Sequence, residues 1–242
     1  YHKTSYWSKW RIVLRVFITG YGIVSAFGKS WNEFRNALLK KQNAVIYMQE
    51  WEKYKQLTTY LAAPILDYKH PKEWSRKELR SLGRVSQYSV EAAGLALRMA
   101  GLFNDSSIKD GRMGVASGSS TGSTDAILEL AKLMFAGEGD CNANSYIKSM
   151  PHTTAANIAI FYGLKGRMIP TSSACTSGSH AIGYAYEAIK YGRIQMMLAG
   201  GAEELCPSEC YVFNSLYATS QKNSTPNLTP SPFDSNRDGL VL

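Results

Sequence analysis

The residues best suited to covalent chemistry stand at 170–183, where the chain reads PTSSACTSGSHAIG. Cys175 lies among serines, threonines, an alanine and a glycine, between an apolar run that reads as a strand and a segment with helical spacing. A thiol at such an elbow is close to unpaired backbone N–H groups and to the positive end of a helix dipole, and both favour thiolate. The small neighbours Ser172, Ser173, Ala174, Ser177, Gly178 and Ser179 leave room for a carbonyl to approach. A backbone N–H at the elbow can then steady the oxyanion that forms. A nucleophilic cysteine fits this pattern. A buried structural cysteine in a polar loop fits it too, and spacing alone leaves both open.

The other candidate groups are weaker. His180 follows Cys175 by five residues, about 140° round a helix at 100° per residue, so it is expected to face away from the thiol. His152 is read as structural or pocket-lining, and His2 and His70 fall in a tail and a loop. Cys206 and Cys210 are four apart and can share a helix face, but zinc needs about two further ligands close by. They are read as buried free thiols, and with Cys141 they form no disulfide framework. The segment PKEWSRKELRSLGR (71–84) places Arg76, Arg80 and Arg84 at intervals of four, with Lys77 beside them. On one helix they would line a single basic face. The bland alternative is a solvated surface helix.

Three look-alikes fail on chemistry. GYGIVS (20–25) has Ser25 where a dinucleotide fingerprint needs its third glycine, and Lys40 and Lys41 where an acid should meet ribose. GSSTGS (118–123) lacks the Gly-Lys-Ser/Thr ending of a phosphate loop. DSNRDG (234–239) matches only the first half of a calcium loop.

The elements that must position Cys175 alternate. A strand is predicted over Val13–Thr19, and a capping box of Ser30 and Glu33 opens a helix over Trp31–Lys41. A long helix is predicted from Arg84 to Gly101, then a strand over Arg112–Ser117, a Gly/Ser loop, and a helix over Asp125–Phe135. Further helices are expected from Pro151 to Tyr162 and from Cys175 to the Tyr191-Gly192 pair, with strands at Met168–Ser172 and Gln195–Ala199. Gln221–Pro232 reads as a surface loop, and GLVL at the end as a strand cut short, so a fragment is expected. Alternation of this kind implies an α/β layer architecture. No run of 18 apolar residues and no secretory leader is read, and the free thiols suit a reducing compartment. The net charge of +8, from 27 Lys and Arg against 19 Asp and Glu, favours an acidic partner.

PTSSACTSGSHAIG, AGGAEELC (199–206) and SPFDSNRDGLVL (231–242) together resemble the elongating β-ketoacyl-acyl-carrier-protein synthases, condensing enzymes of KAS I/II type. RVFITGYGIVSAFG (15–28), SRKELR (75–80) and RMGVASGSSTGS (112–123) fit the same family in the same order. The resemblance implies a thiolase-like layered αβαβα fold, of which this chain supplies mainly the N-terminal half. Residues 1–15 are then a basic and aromatic extension, and 16–242 an N-terminal synthase domain truncated at its C-terminal end. It implies an acyltransferase that runs decarboxylative Claisen condensation of acyl-ACP with malonyl-ACP to 3-oxoacyl-ACP in fatty-acid synthesis. Cys175 matches the acyl-accepting nucleophile, Lys77 and Arg80 the carrier-protein docking patch, and Thr121 and Tyr146 the acyl-pocket lining. No metal or bound cofactor and no nucleic-acid partner is implied, only the phosphopantetheine arm of the acyl carrier protein, and the expected assembly is a homodimer, or a pairing with a ketosynthase-like subunit, in a bacterial cytoplasm. The family's decarboxylating histidines, lysine and phenylalanine-bearing loop match nothing here. Two alternatives follow: a polyketide or polyene ketosynthase with the same chemistry, or a non-catalytic ketosynthase-like partner if the chain ends at Leu242.

Overall fold

The computed structural model describes residues 14–242. Along the chain come α1 (Trp31–Leu39), β1 (Ile46–Tyr47), β2 (Leu61–Ala62), α2 (Arg76–Leu79), α3 (Arg84–Met99), β3 (Met113–Gly118) and α4 (Thr124–Ala136). They are followed by α5 (Ala143–Ser149), α6 (Thr153–Tyr162), β4 (Met168–Pro170), α7 (Ser177–Lys190), β5 (Met196–Gly201) and α8 (Pro207–Ser215). The described chain divides into two compact units: a larger one of residues up to Tyr21 with Arg76–Ala202, and a smaller one of Gly22–Ser75 with Glu203–Leu242.

In the larger unit β3 is the central strand of a parallel sheet ordered β4-β3-β5, with Val115 opposite Met168 on one side and Leu198 on the other. All six residues of β3 are buried, as a strand paired on both edges requires. Ala116 packs with Ala181 and Ala185 of α7, and Ile169 and Met197 close that cluster. Small residues on both elements let the helix axis come close to the sheet. α6 is tied to α3 by Tyr162, whose hydroxyl donates to the Val90 carbonyl at 2.7 Å. Asn157 of α6 donates to Ser86 Oγ at 2.9 Å and accepts from Ser81 Oγ at 3.0 Å, which fixes the chain entering α3.

Two sequence expectations fail here. The extension 1–13, with His2 and Val13, lies outside the described residues, but Leu14–Thr19 forms no strand. Leu14 N–H donates to the Lys190 carbonyl at 3.1 Å, while Phe17 and Ile18 stand exposed. Branched residues favour extension, yet a strand needs a neighbour to take its hydrogen bonds. The basic face over Arg76, Arg80 and Arg84 also breaks, because α2 ends at Leu79 and α3 starts only at Arg84 behind its N-cap Gly83. The three arginines therefore do not share one helix.

The smaller unit pairs β1 with β2 antiparallel and packs Met48, Trp51, Leu57 and Ala62 around Cys210 of α8. The capping box at α1 forms as expected: Glu33 N–H donates to Ser30 Oγ at 3.2 Å, and Ser30 N–H donates to Glu33 Oε2 at 3.0 Å. Cys206 and Cys210 are both buried and free. Burial pushes the Cys210 thiol up to about 11. The segment expected as a surface loop, Gln221–Pro232, and the last residues of the chain are both held down. Thr229 is buried, with its hydroxyl donating to Ser220 Oγ at 2.7 Å. Leu240 bridges to Thr219, and the Leu242 carbonyl accepts from Ala63 N–H at 2.7 Å.

Candidate active site

Parallel sheets present their ligand sites beyond the carboxyl ends of the strands. In the larger unit that end gathers three segments: the Gly/Ser loop after β3, the elbow after β4 and the glycines closing β5. Thr171 N–H donates to the Ser117 carbonyl at 3.2 Å, and Ala202 N–H donates to the Gly118 carbonyl at 3.2 Å, so all three strand exits are stitched together.

Cys175 sits on the elbow and is exposed, which removes the buried structural cysteine as a description of it. The residue before it, Ala174, has φ +52°, in the left-handed region that costs an L-residue about 1–2 kcal/mol. Strain of this kind persists only where surrounding bonds enforce it. The bonds are visible: Ser177 Oγ donates to the Ala174 carbonyl at 2.7 Å and accepts from Ser173 N–H at 2.9 Å. Thr176 Oγ1 donates to the Ser173 carbonyl at 2.8 Å. Thr171 Oγ1 donates to the Ser177 carbonyl at 2.9 Å, which anchors the strand exit to the start of α7.

The floor beneath the elbow is glycine on glycine. A Cβ on Gly201 would come within 3.1 Å of Gly178 Cα and 3.2 Å of the Gly118 carbonyl oxygen, so no larger residue fits without movement. This is the physical use of Gly201 at the end of β5. It lets α7 start directly against the sheet, with Cys175 lifted above the strand ends.

Of the other expected residues, Thr121 is half-buried in the loop after β3. That loop turns at Gly122, φ +72°, whose N–H donates to Ser119 Oγ at 3.0 Å. Tyr146 is 61% exposed on α5, whose carbonyl at Lys148 accepts from Ser123 N–H at 3.1 Å. The Gly/Ser loop and α5 are thereby joined, and Thr121 shares the sheet's carboxyl end with Cys175. Lys77, on the short α2, and Arg80, just beyond it, are both exposed. His152 is exposed at the N-cap of α6 and makes no capping bond there, so it is not a core histidine.

His180 makes no hydrogen bond to Cys175 among the described residues. Its Nδ1 is instead 2.9 Å from Ser173 Oγ. Sequence spacing placed His180 away from the thiol and missed this bond, because Ser173 curls back toward the helix that follows it. The only signal in the sequence was the density of hydroxyls flanking Cys175.

A cavity of about 660 Å³ lies within the smaller unit, edged among others by Phe27, Lys29, Asn43, Ile46, Tyr68 and Lys69. It includes none of the expected site residues. Among the described residues no group of three or more His, Cys, Asp or Glu side chains is placed to hold a metal ion. Asp238 of the calcium look-alike is engaged by Ser220 Oγ at 2.9 Å and by Gln221 N–H at 2.8 Å.

Residues 14–242 match the family described as beta-ketoacyl synthase, N-terminal domain. The chain belongs to that family. The 3-oxoacyl-[acyl-carrier-protein] synthase 2 of Vibrio harveyi is 31% identical across 94% of this chain and 55% of its own length. A β-ketoacyl synthase from Burkholderia phymatum STM815 superposes with a TM-score of 0.91 at 53% identity, over 94% of this chain and 56% of that one. A type II PKS ketosynthase in complex with its acyl-carrier protein gives a TM-score of 0.76 at 26% identity, over 94% of this chain and 55% of that one. The chain thus has the thiolase-like α/β fold that its sequence resembles, and it spans about half the length of the relatives it matches.

Proposed function

We propose that this synthase domain supplies the acyl-accepting half of a decarboxylative Claisen condensation in fatty-acid synthesis. The observation that carries the reading is the exposed Cys175, held on a strained elbow at the carboxyl end of a parallel sheet. Its sulfur attacks the thioester carbonyl of acyl-ACP, the Cys175 N–H steadies the tetrahedral oxyanion, and the phosphopantetheine thiolate leaves with a proton. Malonyl-ACP then loses carbon dioxide, and its carbanion attacks the Cys175 thioester to release 3-oxoacyl-ACP and the thiolate. The groups that promote decarboxylation are assigned to the half of the relatives' length that this chain does not span.

Lys77 and Arg80, exposed at α2 and its exit, meet the acidic carrier protein, consistent with the chain's net charge of +8. Thr121 and Tyr146 line the acyl chain's path, and a second copy of the subunit completes that wall. The reading assumes no metal or tightly bound cofactor and a cytoplasmic setting, and no described helix is long and apolar enough to cross a membrane.

A second reading, a polyketide ketosynthase with the same chemistry, is favoured by the likeness to the type II PKS ketosynthase at 26% identity. Full-length protein incubated with acyl-ACP should gain the acyl mass on the peptide bearing Cys175, and malonyl-ACP should discharge it as 3-oxoacyl-ACP. Acyl transfer to any other residue would overturn the proposal. Repeated rounds that build a poly-β-keto chain would select the second reading.

A further inference from the structure

We propose that His180 and Ser173 form a positioning pair for the Cys175 nucleophile. This rests on reading Cys175 as the acyl acceptor. Ser173 lies two residues before the thiol, and three residues beyond the thiol hold its polar groups, Thr176 Oγ1 reaching its hydroxyl at 3.2 Å as well as its carbonyl. Its N–H donates to Ser177 Oγ at 2.9 Å, its carbonyl accepts from Thr176 Oγ1 at 2.8 Å, and its hydroxyl meets His180 Nδ1 at 2.9 Å. The chain carrying Cys175 is thereby closed into a loop whose two ends are bonded to each other.

The three clasps differ in reach. Thr176 is the N-cap of α7 and Ser177 its first residue, so both act at the very start of the helix. His180 is a turn further into α7, where its N–H donates to the Thr176 carbonyl at 2.9 Å and its ring meets Tyr184 edge-on at 6.1 Å between centroids. It is the clasp that reaches furthest into the helix.

A hydroxyl has one proton to give. Ser173 Oγ has three neighbours able to take it, the Thr171 carbonyl at 3.2 Å, Thr176 Oγ1 at 3.2 Å and His180 Nδ1 at 2.9 Å. With Nδ1 protonated, His180 donates to Ser173 and Ser173 donates to Thr171, which links α7 through the side chain to the exit of β4. With Nδ1 bare, Ser173 donates to His180 directly. Either arrangement keeps the loop clasped.

The clasp matters because Ala174 is held at φ +52°. Released, the loop relaxes toward ordinary backbone angles, and Cys175 moves with it. Attack on a thioester needs the reacting atoms within about 3–3.5 Å and aligned, and a displacement of about 1 Å costs on the order of a hundredfold in rate. The pair therefore governs the rate of acylation, not substrate affinity.

The test is single-turnover acylation of full-length protein by decanoyl-ACP, followed by mass spectrometry of the Cys175 peptide. His180→Ala and Ser173→Ala should each slow the maximal rate about tenfold with half-saturation unchanged. The double variant should be no slower than either single one, because both remove the same bond. His180→Asn, whose amide stands where Nδ1 does, should restore most of the rate; His180→Gln, whose amide lies nearer Nε2, should not. A His180→Ala rate within about twofold of the wild type, multiplicative losses in the double variant, or rescue by Gln equal to that by Asn overturns the pair while leaving the Cys175 reading intact. No acylation of wild-type Cys175 overturns the parent reading and the pair with it.

Discussion

Cys175 and Cys210 are the same residue in opposite settings. Cys175 is exposed on a loop of the larger unit, with a strained neighbour and hydroxyls clasping the backbone around it. Cys210 is 1% exposed within an apolar cluster of the smaller unit, packed with Met48, Trp51, Leu57 and Ala62. Hydrogen bonds shape the surroundings of the first. Apolar burial shapes those of the second, and burial is what raises its pKa. A thiol is made reactive or inert by its surroundings, and this chain holds one exposed and one buried.

The sharpest way to break the comparison is to delete each sulfur. Cys175→Ala should abolish condensation in the full-length protein, by about three orders of magnitude or more. Cys210→Ala should leave turnover intact and cost about 1–2 kcal/mol of stability. Retained condensation in Cys175→Ala would end the contrast. Alkylation ranks the thiols without any substrate: iodoacetamide followed by peptide mapping should label Cys175 at least about a hundredfold faster than Cys210, since only the open fraction of a buried site reacts. Equal labelling would show that the smaller unit opens as readily as the loop.

The pH response should separate them again. Burial raises the Cys210 pKa from 9.0 to about 11, so the folded state favours the protonated thiol. Its contribution is complete below about pH 9 and is lost as the pH climbs toward 11. Denaturant melts across that window should show a loss on the order of 2 kcal/mol that Cys210→Ala removes. A Cys210→Ala protein with the same alkaline slope as the wild type would assign the loss elsewhere. The smallest effect belongs to the elbow. Ala174→Gly relieves the positive φ but adds freedom to the unfolded chain, so stability should change by less than about 1 kcal/mol. A larger loss, read in the same melts, would mean that the Ala174 methyl packs usefully.

Punctuation was the most legible part of the sequence. The Ser30-Glu33 box, the start of α3 and the Tyr191-Gly192 stop of α7 all fall where local chemistry puts them. What failed depended on partners distant in the chain. Val13–Thr19 has strand composition, but its described residues take no place in a sheet. The spacing of Arg76, Arg80 and Arg84 suits a helix, yet Gly83 is pressed against Ser123 of another segment and the chain turns there. β1 and β2 are two residues each, too short for any period to register. At the site, the elbow and its cysteine could be read from residue types alone. The bond between Ser173 and His180 could not, because it depends on a backbone reversal that spacing along a helix does not describe.

The smaller unit is assembled from two stretches separated by Arg76–Ala202 of the larger one. Its closing bond, from Ala63 N–H to the Leu242 carbonyl, joins residues made far apart in time. At ribosomal rates, on the order of ten seconds pass between them. During that interval Trp51, Leu57 and Ala62 have no Cys210 to pack against. A nascent chain stalled before Glu203 should therefore present this apolar surface to chaperones.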